Sequence, residues 1–260
     1  MRSLKVPCLM YHEIEREGRP LCSSEPGYIR YVVTERAFRQ QLEWLSSAGI
    51  RGNCVSGVLT KPLQQRSVIV TFDDGSASDL DIAAPELLRR GFGATFFVTT
   101  GFLGRAGHLT TSQVRELCDL GFEIGSHGVT HRYLTDLSPA EARSELVDSR
   151  SALEDITGRS IQHVSAPGGR WNTRIARLAR EAGFITLATS DIGLNDLTAT
   201  TLRRLAVTRP TSLAQFRDMC LGHHLTGAIL RSTGLRVVKR LVGNARYESM
   251  RTRLLGSAGD

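Results

Sequence analysis

The stretch "VIVTFDDGSASD", residues 68–79, runs from a β-branched, apolar segment straight into two adjacent aspartates and a glycine. Val68–Phe72 reads as a buried strand of ordinary length. Asp73 and Asp74 therefore stand where that strand runs out. Neighbouring residues at a strand end can point in different directions, so one carboxylate can hold a cation while the other stays free to take a proton. Left unpaired, their mutual repulsion would raise one of the two pKa values, and a bound cation relieves it. Taken alone, Asp-Asp-Gly reads more readily as a tight turn.

Working outward, apolar β-type segments alternate with helical ones. Strands are expected at Lys5–Tyr11, Ala94–Thr99, Phe122–Gly125, His163–Ala166, Ile185–Thr189 and Leu205–Thr208. Helices are expected at Glu35–Ala48, Asp81–Arg90, Ser112–Leu120, Thr173–Ala182 and Leu213–Leu221, several closed by a glycine such as Gly49, Gly91, Gly121 or Gly183. The best marked opens "LSPAEARSEL", with Ser138 as N-cap, Pro139 in the first helical position and Glu141 completing a capping box; it runs to about Thr157. This βα alternation, without a Pro/Gly/Ser-rich linker, predicts a mostly parallel sheet covered by helices. Periodicity leaves an open sheet and a barrel as alternatives. In both, chemistry gathers at the carboxyl ends of the strands.

A second strand ends the same way. "FEIGSHGVTH", residues 122–131, carries His127 and His131 four residues apart, and a helical turn or tight loop puts both imidazoles on one side. Two aspartates and two histidines at strand ends fit a His2Asp site with open positions, the layout of a catalytic metal. Zinc is the first choice for mixed nitrogen and oxygen ligands, with cobalt, nickel, manganese and iron also compatible.

Composition sets the frame. The 260 residues are 41% hydrophobic and 23% charged with 8 prolines, which excludes a disordered or fibrous chain. Apolar runs are strand-sized, so no span is expected to cross a membrane, and the start lacks a signal-type apolar segment; a cytoplasmic location, or one at the inner membrane surface, is the expectation. Five scattered cysteines, Cys8, Cys22, Cys54, Cys118 and Cys220, show no Cys-x-x-Cys spacing and read as reduced packing residues. Of the net charge of +7, seven Lys or Arg against Glu248 place +6 between Arg231 and Arg253, so the body is nearly neutral and the tail basic. In "LRVVKRLVGNARYESMRTRLL", residues 235–255, apolar residues near helical spacing are interleaved with basic ones. Such a segment suits either a helix packed on the body or peripheral contact with an anionic membrane. With Tyr247 its one aromatic, it does not point to nucleic acid.

"TFDDG" followed by "SHGVTH" resembles the first two motifs of the polysaccharide deacetylase family, the NodB-homology or carbohydrate esterase 4 domain. "LMYHEI", "TFFVTTGFLG", "HVSAPGGRWN" and "RRLAVTR" extend the resemblance over roughly residues 5–222. It implies a distorted (β/α) barrel of α/β class as the catalytic domain at 1–222, with a basic extension at 223–260. It also implies metal-dependent removal of an N-acetyl group, usually from an amino sugar. Carried over residue by residue, Asp74, His127 and His131 bind the metal and Asp73 is the general base. The late histidine that many members use as general acid is missing from "LRRLAVTR". A branch resembling biofilm poly-N-acetylglucosamine deacetylases carries it in an N-terminal "MYH" motif, which makes His12 the candidate here. The arginine that often begins the third motif, and steadies the base, is replaced by Ser165. Pro167, Gly168, Gly169, Arg170 and Trp171 are candidates for a substrate-facing wall, with Trp171 able to stack on a sugar face. Asp191 and Asn195 are weaker candidates, and His223 and His224 read as surface residues. A deacylase acting on another acyl group or on a non-sugar amide, and a non-catalytic glycan- or membrane-binding protein, are the alternative readings.

Overall fold

The computed structural model describes residues 5–59 and 66–225; the basic segment at 231–253 lies outside them, and of the extension expected at 223–260 only residues 223–225 lie within. Nine strands form one sheet in which every pairing is parallel. In chain order they are β1 (Cys8–Tyr11), β2 (Arg51–Asn53), β3 (Ser67–Phe72), β4 (Thr95–Val98), β5 (Glu123–Ser126), β6 (His163–Ser165), β7 (Thr186–Ala188), β8 (Thr201–Leu202) and β9 (Leu205–Ala206). Their spatial order is β8-β7-β6-β5-β4-β3-β1-β9, with β2 pairing the first half of β3. The two terminal strands of this ladder, β8 and β9, are separated in sequence only by Arg203 and Arg204. The sheet thus curls until the chain itself crosses the gap, giving a distorted (β/α) barrel closed by covalent connection rather than by a ladder of hydrogen bonds.

Strands buried on both faces must be apolar on both, and β1, β4 and β7 are buried along their whole length. Outside the sheet, Tyr11, Phe72 and Phe96 lie in register across β1, β3 and β4 and stack at 5.3 and 4.9 Å, with Phe38 and Phe122 packed edge-on. Side chains alternate along a strand, so the residues following this aromatic row, His12 and Asp73, are turned toward the lumen. A smaller apolar cluster of Val6, Cys8, Val55, Val58, Ile69, Phe97, Ala188 and Leu202 fills the lower lumen.

The longest helices among the described residues cover the outside: α1 (Glu35–Ser47), α2 (Thr111–Asp119), α3 (Pro139–Thr157), α4 (Thr173–Glu181) and α5 (Leu213–Leu221). Ser138 and Glu141 form the expected capping box at α3, and Thr110 with Gln113 and Ser212 with Gln215 do the same for α2 and α5. Three boundaries differ from expectation by more than one residue. The first strand breaks at Pro7, which has no N–H to donate: Lys5–Val6 pairs antiparallel with Asn195–Asp196, and β1 begins after it. The helix expected at Asp81–Arg90 starts with a π-turn at Asp79–Ala83 before Ala84–Leu88. The strand expected to reach Thr208 ends at Ala206. No helix among the described residues is long and apolar enough to cross a membrane.

Candidate active site

The strand ends converge as their sequences require. Tyr11 pairs Phe72, so His12 and Asp73 leave adjacent strands side by side, and the Asp73 N–H donates to the Tyr11 carbonyl at 3.0 Å. Asp74 follows with φ 79°, a left-handed conformation uncommon outside glycine, and His131 has φ 61°. Such backbone clusters where a site dictates side-chain direction. His127 and His131 lie on a tight loop rather than a helical turn. The loop is held by Glu145 of α3, whose buried carboxylate accepts from the N–H groups of Val129 (2.7 Å) and Thr130 (3.0 Å) and from the Thr130 hydroxyl (2.5 Å).

Nε2 of His127 and Nε2 of His131 both face Asp74 Oδ1, at 3.3 and 3.2 Å. Nδ1 of His127 lies 2.8 Å from the Ser165 carbonyl, which can only accept, so Nδ1 carries a proton and Nε2 is the nitrogen that the neutral ring can offer to a cation. Asp74 Oδ1 is buried with no hydrogen-bond donor. Burial pushes the His127 pKa down, but Asp73 and Asp74 outweigh it and hold it above its ordinary value. Burial likewise pushes Asp74 up, and the two imidazoles bring it well below the usual carboxylate range. The donor set calls for a cation between its members. All three ligand atoms lie within 4.8 Å of one another, and ligands bound at about 2.0–2.2 Å around a tetrahedral ion sit on the order of 3.3 Å apart. The residues present therefore fit one divalent ion.

Asp73 has a different partner. Arg204, on the seam between β8 and β9, is fully buried and meets Asp73 with two parallel bonds, Nη1 to Oδ1 and Nη2 to Oδ2, both 2.7 Å. Its other donors reach the Thr189 carbonyl (2.9 Å), Thr71 Oγ1 (3.3 Å) and Ser165 Oγ (2.8 Å), so all five N–H groups are used. The Ser165 hydroxyl in turn donates a hydrogen bond to Asp73 Oδ2 at 3.1 Å. The small serine at the third motif leaves room for a guanidinium that arrives from elsewhere in the chain. Burial would raise the Asp73 pKa, and the Arg204 charge, with His127 and the Arg204 hydrogen bonds, brings it below its ordinary value.

His12 lies against Tyr31 with 4.7 Å between ring centroids and the ring planes tilted by 42°, and its Nδ1 is buried without a hydrogen-bond partner among the described residues. Burial lowers its pKa, against the opposing pull of Asp74 and Asp73. The loop after it is organised by buried Glu13, which accepts from Arg19 Nη1 (2.7 Å), the Cys22 N–H (3.0 Å) and Tyr28 Oη (2.9 Å).

Pro167–Gly169 form a short turn beside the histidine loop, with Pro167 packed near Gly128. Gly168 (φ 62°) backs onto the Tyr133 ring and Gly169 (φ 65°) onto Ser190, where no side chain fits. Arg170 lies 3.8 Å over the Tyr133 ring, and Trp171 Nε1 donates to Asp191 Oδ2 at 3.1 Å. Asp191 thus orients Trp171, and Asn195 braces backbone at Val6 and Arg203 away from the carboxylates. His223 and His224 are exposed. Arg204 and Glu145 were not singled out by the sequence reading. No local signal marks them: Arg204 follows Arg203 in "LRRLAV", and Glu145 lies on a helix rich in charged residues.

With this geometry, the chain belongs to the polysaccharide deacetylase family, whose sequence model matches residues 60–187. Its relatives include YxkH of Bacillus subtilis (strain 168), which carries a polysaccharide deacetylase name and is 30% identical over 194 residues, 73% of this chain and 66% of that protein. A chitooligosaccharide deacetylase of Azorhizobium caulinodans is 34% identical over 123 residues, 46% of this chain and 56% of that protein. The chain thus spans under two thirds of the length of these curated relatives. Among solved structures, the Streptococcus pyogenes deacetylase PplD in complex with acetate superposes with a TM-score of 0.73 at 26% identity, covering 84% of this chain and 99% of that one.

Proposed function

We propose that the chain is a metal-dependent hydrolase that removes an N-acetyl group from an amino-sugar substrate. Asp74, His127 and His131 hold one divalent ion, zinc by ligand type. The observation that carries the reading is the donor-free Asp74 Oδ1 facing two imidazole nitrogens at 3.3 and 3.2 Å. A divalent ion bound there supplies Lewis acidity, polarising a carbonyl and acidifying a water.

The remaining work belongs to the chain's own groups. Asp73 is the general base, and Arg204 keeps it ionised and fixed in direction while it takes the proton of the attacking water. A backbone N–H following the aspartate pair supports the developing oxyanion. His12, beside Asp73 on the neighbouring strand, gives the departing amine its proton; burial makes the charged imidazole a willing donor. Trp171, tethered by Asp191, offers its indole face to a sugar, and Pro167, Gly168, Gly169 and Arg170 shape the wall.

Elemental analysis of the purified protein beside Asp74→Ala tests the metal assignment without knowledge of the substrate. One equivalent of a transition metal in the wild type and none in the variant is expected. Absence of metal from both, after zinc is supplied, would remove the hydrolase reading. For His12, turnover in His12→Ala should fall about a hundredfold or more. Unchanged turnover there, with activity abolished in Asp73→Asn, would move the general acid elsewhere.

A further inference from the structure

The segment 100–109, after β4, is pinned to both loops that carry the acid and histidine pairs. Thr100 and Gly101 donate to the Gly128 and Val129 carbonyls at 3.1 and 2.8 Å. Leu109 N–H reaches the Gly75 carbonyl at 2.9 Å, Ala77 N–H reaches Gly107 at 2.8 Å, and Ser76 bridges His108. On this fixed platform the Phe102 ring touches three groups. His131 lies 5.8 Å from it, His108 5.0 Å, and the Arg105 guanidinium carbon sits 5.0 Å over its centroid.

Arg105 is exposed and, among the described residues, takes part in no ion pair or side-chain hydrogen bond. Other arginines on the loops framing the site are committed: Arg19 to Glu13, Arg132 to Glu141 and Arg170 to Asp136. His108 Nδ1 lies 3.2 Å from the Ala106 carbonyl, so the proton sits on Nδ1 and Nε2 is left able to accept a hydroxyl. An uncommitted guanidinium held over an aromatic ring is pre-organised for an oxyanion, because its planar fork is already oriented.

Resting on the deacetylase reading above, we propose that the substrate carries an anionic oxygen group, phosphate or carboxylate, close to the acetamido sugar. Arg105 binds that group, with His108 Nε2 accepting an adjacent hydroxyl. The anion thereby approaches the metal site along the Phe102 edge, at the open end of the barrel.

The test uses zinc-loaded full-length protein and three probes: a neutral N-acetylglucosamine oligomer, a phosphorylated N-acetylglucosamine, and an N-acetylmuramic acid-containing oligomer. Acetate release and calorimetric binding are measured for wild type, Arg105→Ala and Arg105→Lys. At least one anionic probe should be favoured over the neutral one about tenfold, through KM rather than kcat. Arg105→Ala should abolish that preference, Arg105→Lys should restore part of it, and rising salt should weaken it. Preference for the phosphorylated or the carboxylated probe names the source of the charge. Equal treatment of neutral and anionic probes, or a preference that survives Arg105→Ala, overturns the proposal. If no probe yields acetate, the deacetylase reading fails, and the binding ratios still decide the anion site: a tenfold preference lost in Arg105→Ala upholds it, and its absence overturns it.

Discussion

At the lower end of the barrel, His163 is as buried as His127 is at the upper end, and each has a carboxylate nearby, yet the two ends are satisfied differently. Below, His163 Nε2 meets Ser56 Oγ at 2.7 Å and Nδ1 meets Thr186 Oγ1 at 2.8 Å. Glu123 accepts from Thr95 Oγ1 (2.5 Å) and from the N–H groups of Val55 (3.0 Å) and Ser56 (3.3 Å). Burial would raise the Glu123 pKa, and the His163, Ser56 and Thr95 contacts bring it below its ordinary value. Above, among the described residues, His12 Nδ1, Asp74 Oδ1 and Thr99 Oγ1 have no hydrogen-bond partner, and neither does either oxygen of Asp79 just beyond. Buried polar groups are paired unless something else claims them. The lower cluster plugs a barrel with its polar atoms paired; the upper one keeps the donor and acceptor atoms on which the proposed reaction draws.

Arg204→Met is the strongest way to break the contrast, since it leaves Asp73 buried without its counter-charge. A loss of about 3–5 kcal/mol in denaturant titration is expected. The sign with pH follows from the lowered Asp73 pKa. The pair stabilises the fold above the ordinary carboxylate value of 3.8, and that contribution fades as pH falls through the lower folded-state value. Without Arg204 the Asp73 pKa rises, so the acid limb of the rate profile should move to higher pH. An unshifted limb would mean that Arg204 does not tune the base.

His163→Gln attacks the lower cluster and should behave as a structural change alone. About 1 kcal/mol or slightly more of stability should be lost, while the turnover of the folded fraction and the metal content stay as in the wild type. A drop in kcat would mean that the two ends communicate. Asp79→Asn is the mildest change and the one expected to stabilise. Burial, with Asp74 and Glu13 nearby, pushes the Asp79 pKa well above 3.8, so the folded state retains a proton that the unfolded chain releases. Stability therefore falls as pH rises from about that value, and the amide should gain over wild type at neutral pH but not in acid. Equal gains in urea titrations at both pH values would show that ionisation is not the cause.

How much of this was legible in the sequence follows from contact range. Asp73, Asp74, His127 and His131 were readable because each pair lies within a few residues at a strand end, where local pattern fixes direction. The capping box at Ser138 and the glycine helix stops were readable for the same reason. Arg204 meets Asp73 across 131 positions, and nothing local says which buried carboxylate it will find. Glu145 looks like one more acid on an amphipathic helix until the histidine loop settles onto it. Barrel closure was equally hidden: two two-residue strands carry too little pattern, and their pairing is set by the curl of the whole sheet.

The seam has a temporal meaning as well. Both aspartates, His127, His131 and His12 are synthesised before residue 200, but Arg204 and the strand that pairs with β1 are among the last parts of the described body to leave the ribosome. Until they emerge, Asp73 lacks the cation that keeps it charged, and the barrel lacks its final stave. A chain cut before Arg204 therefore holds the visible motifs while Asp73 stands without its counter-charge. Emergence of Arg204 is the event that completes the pair.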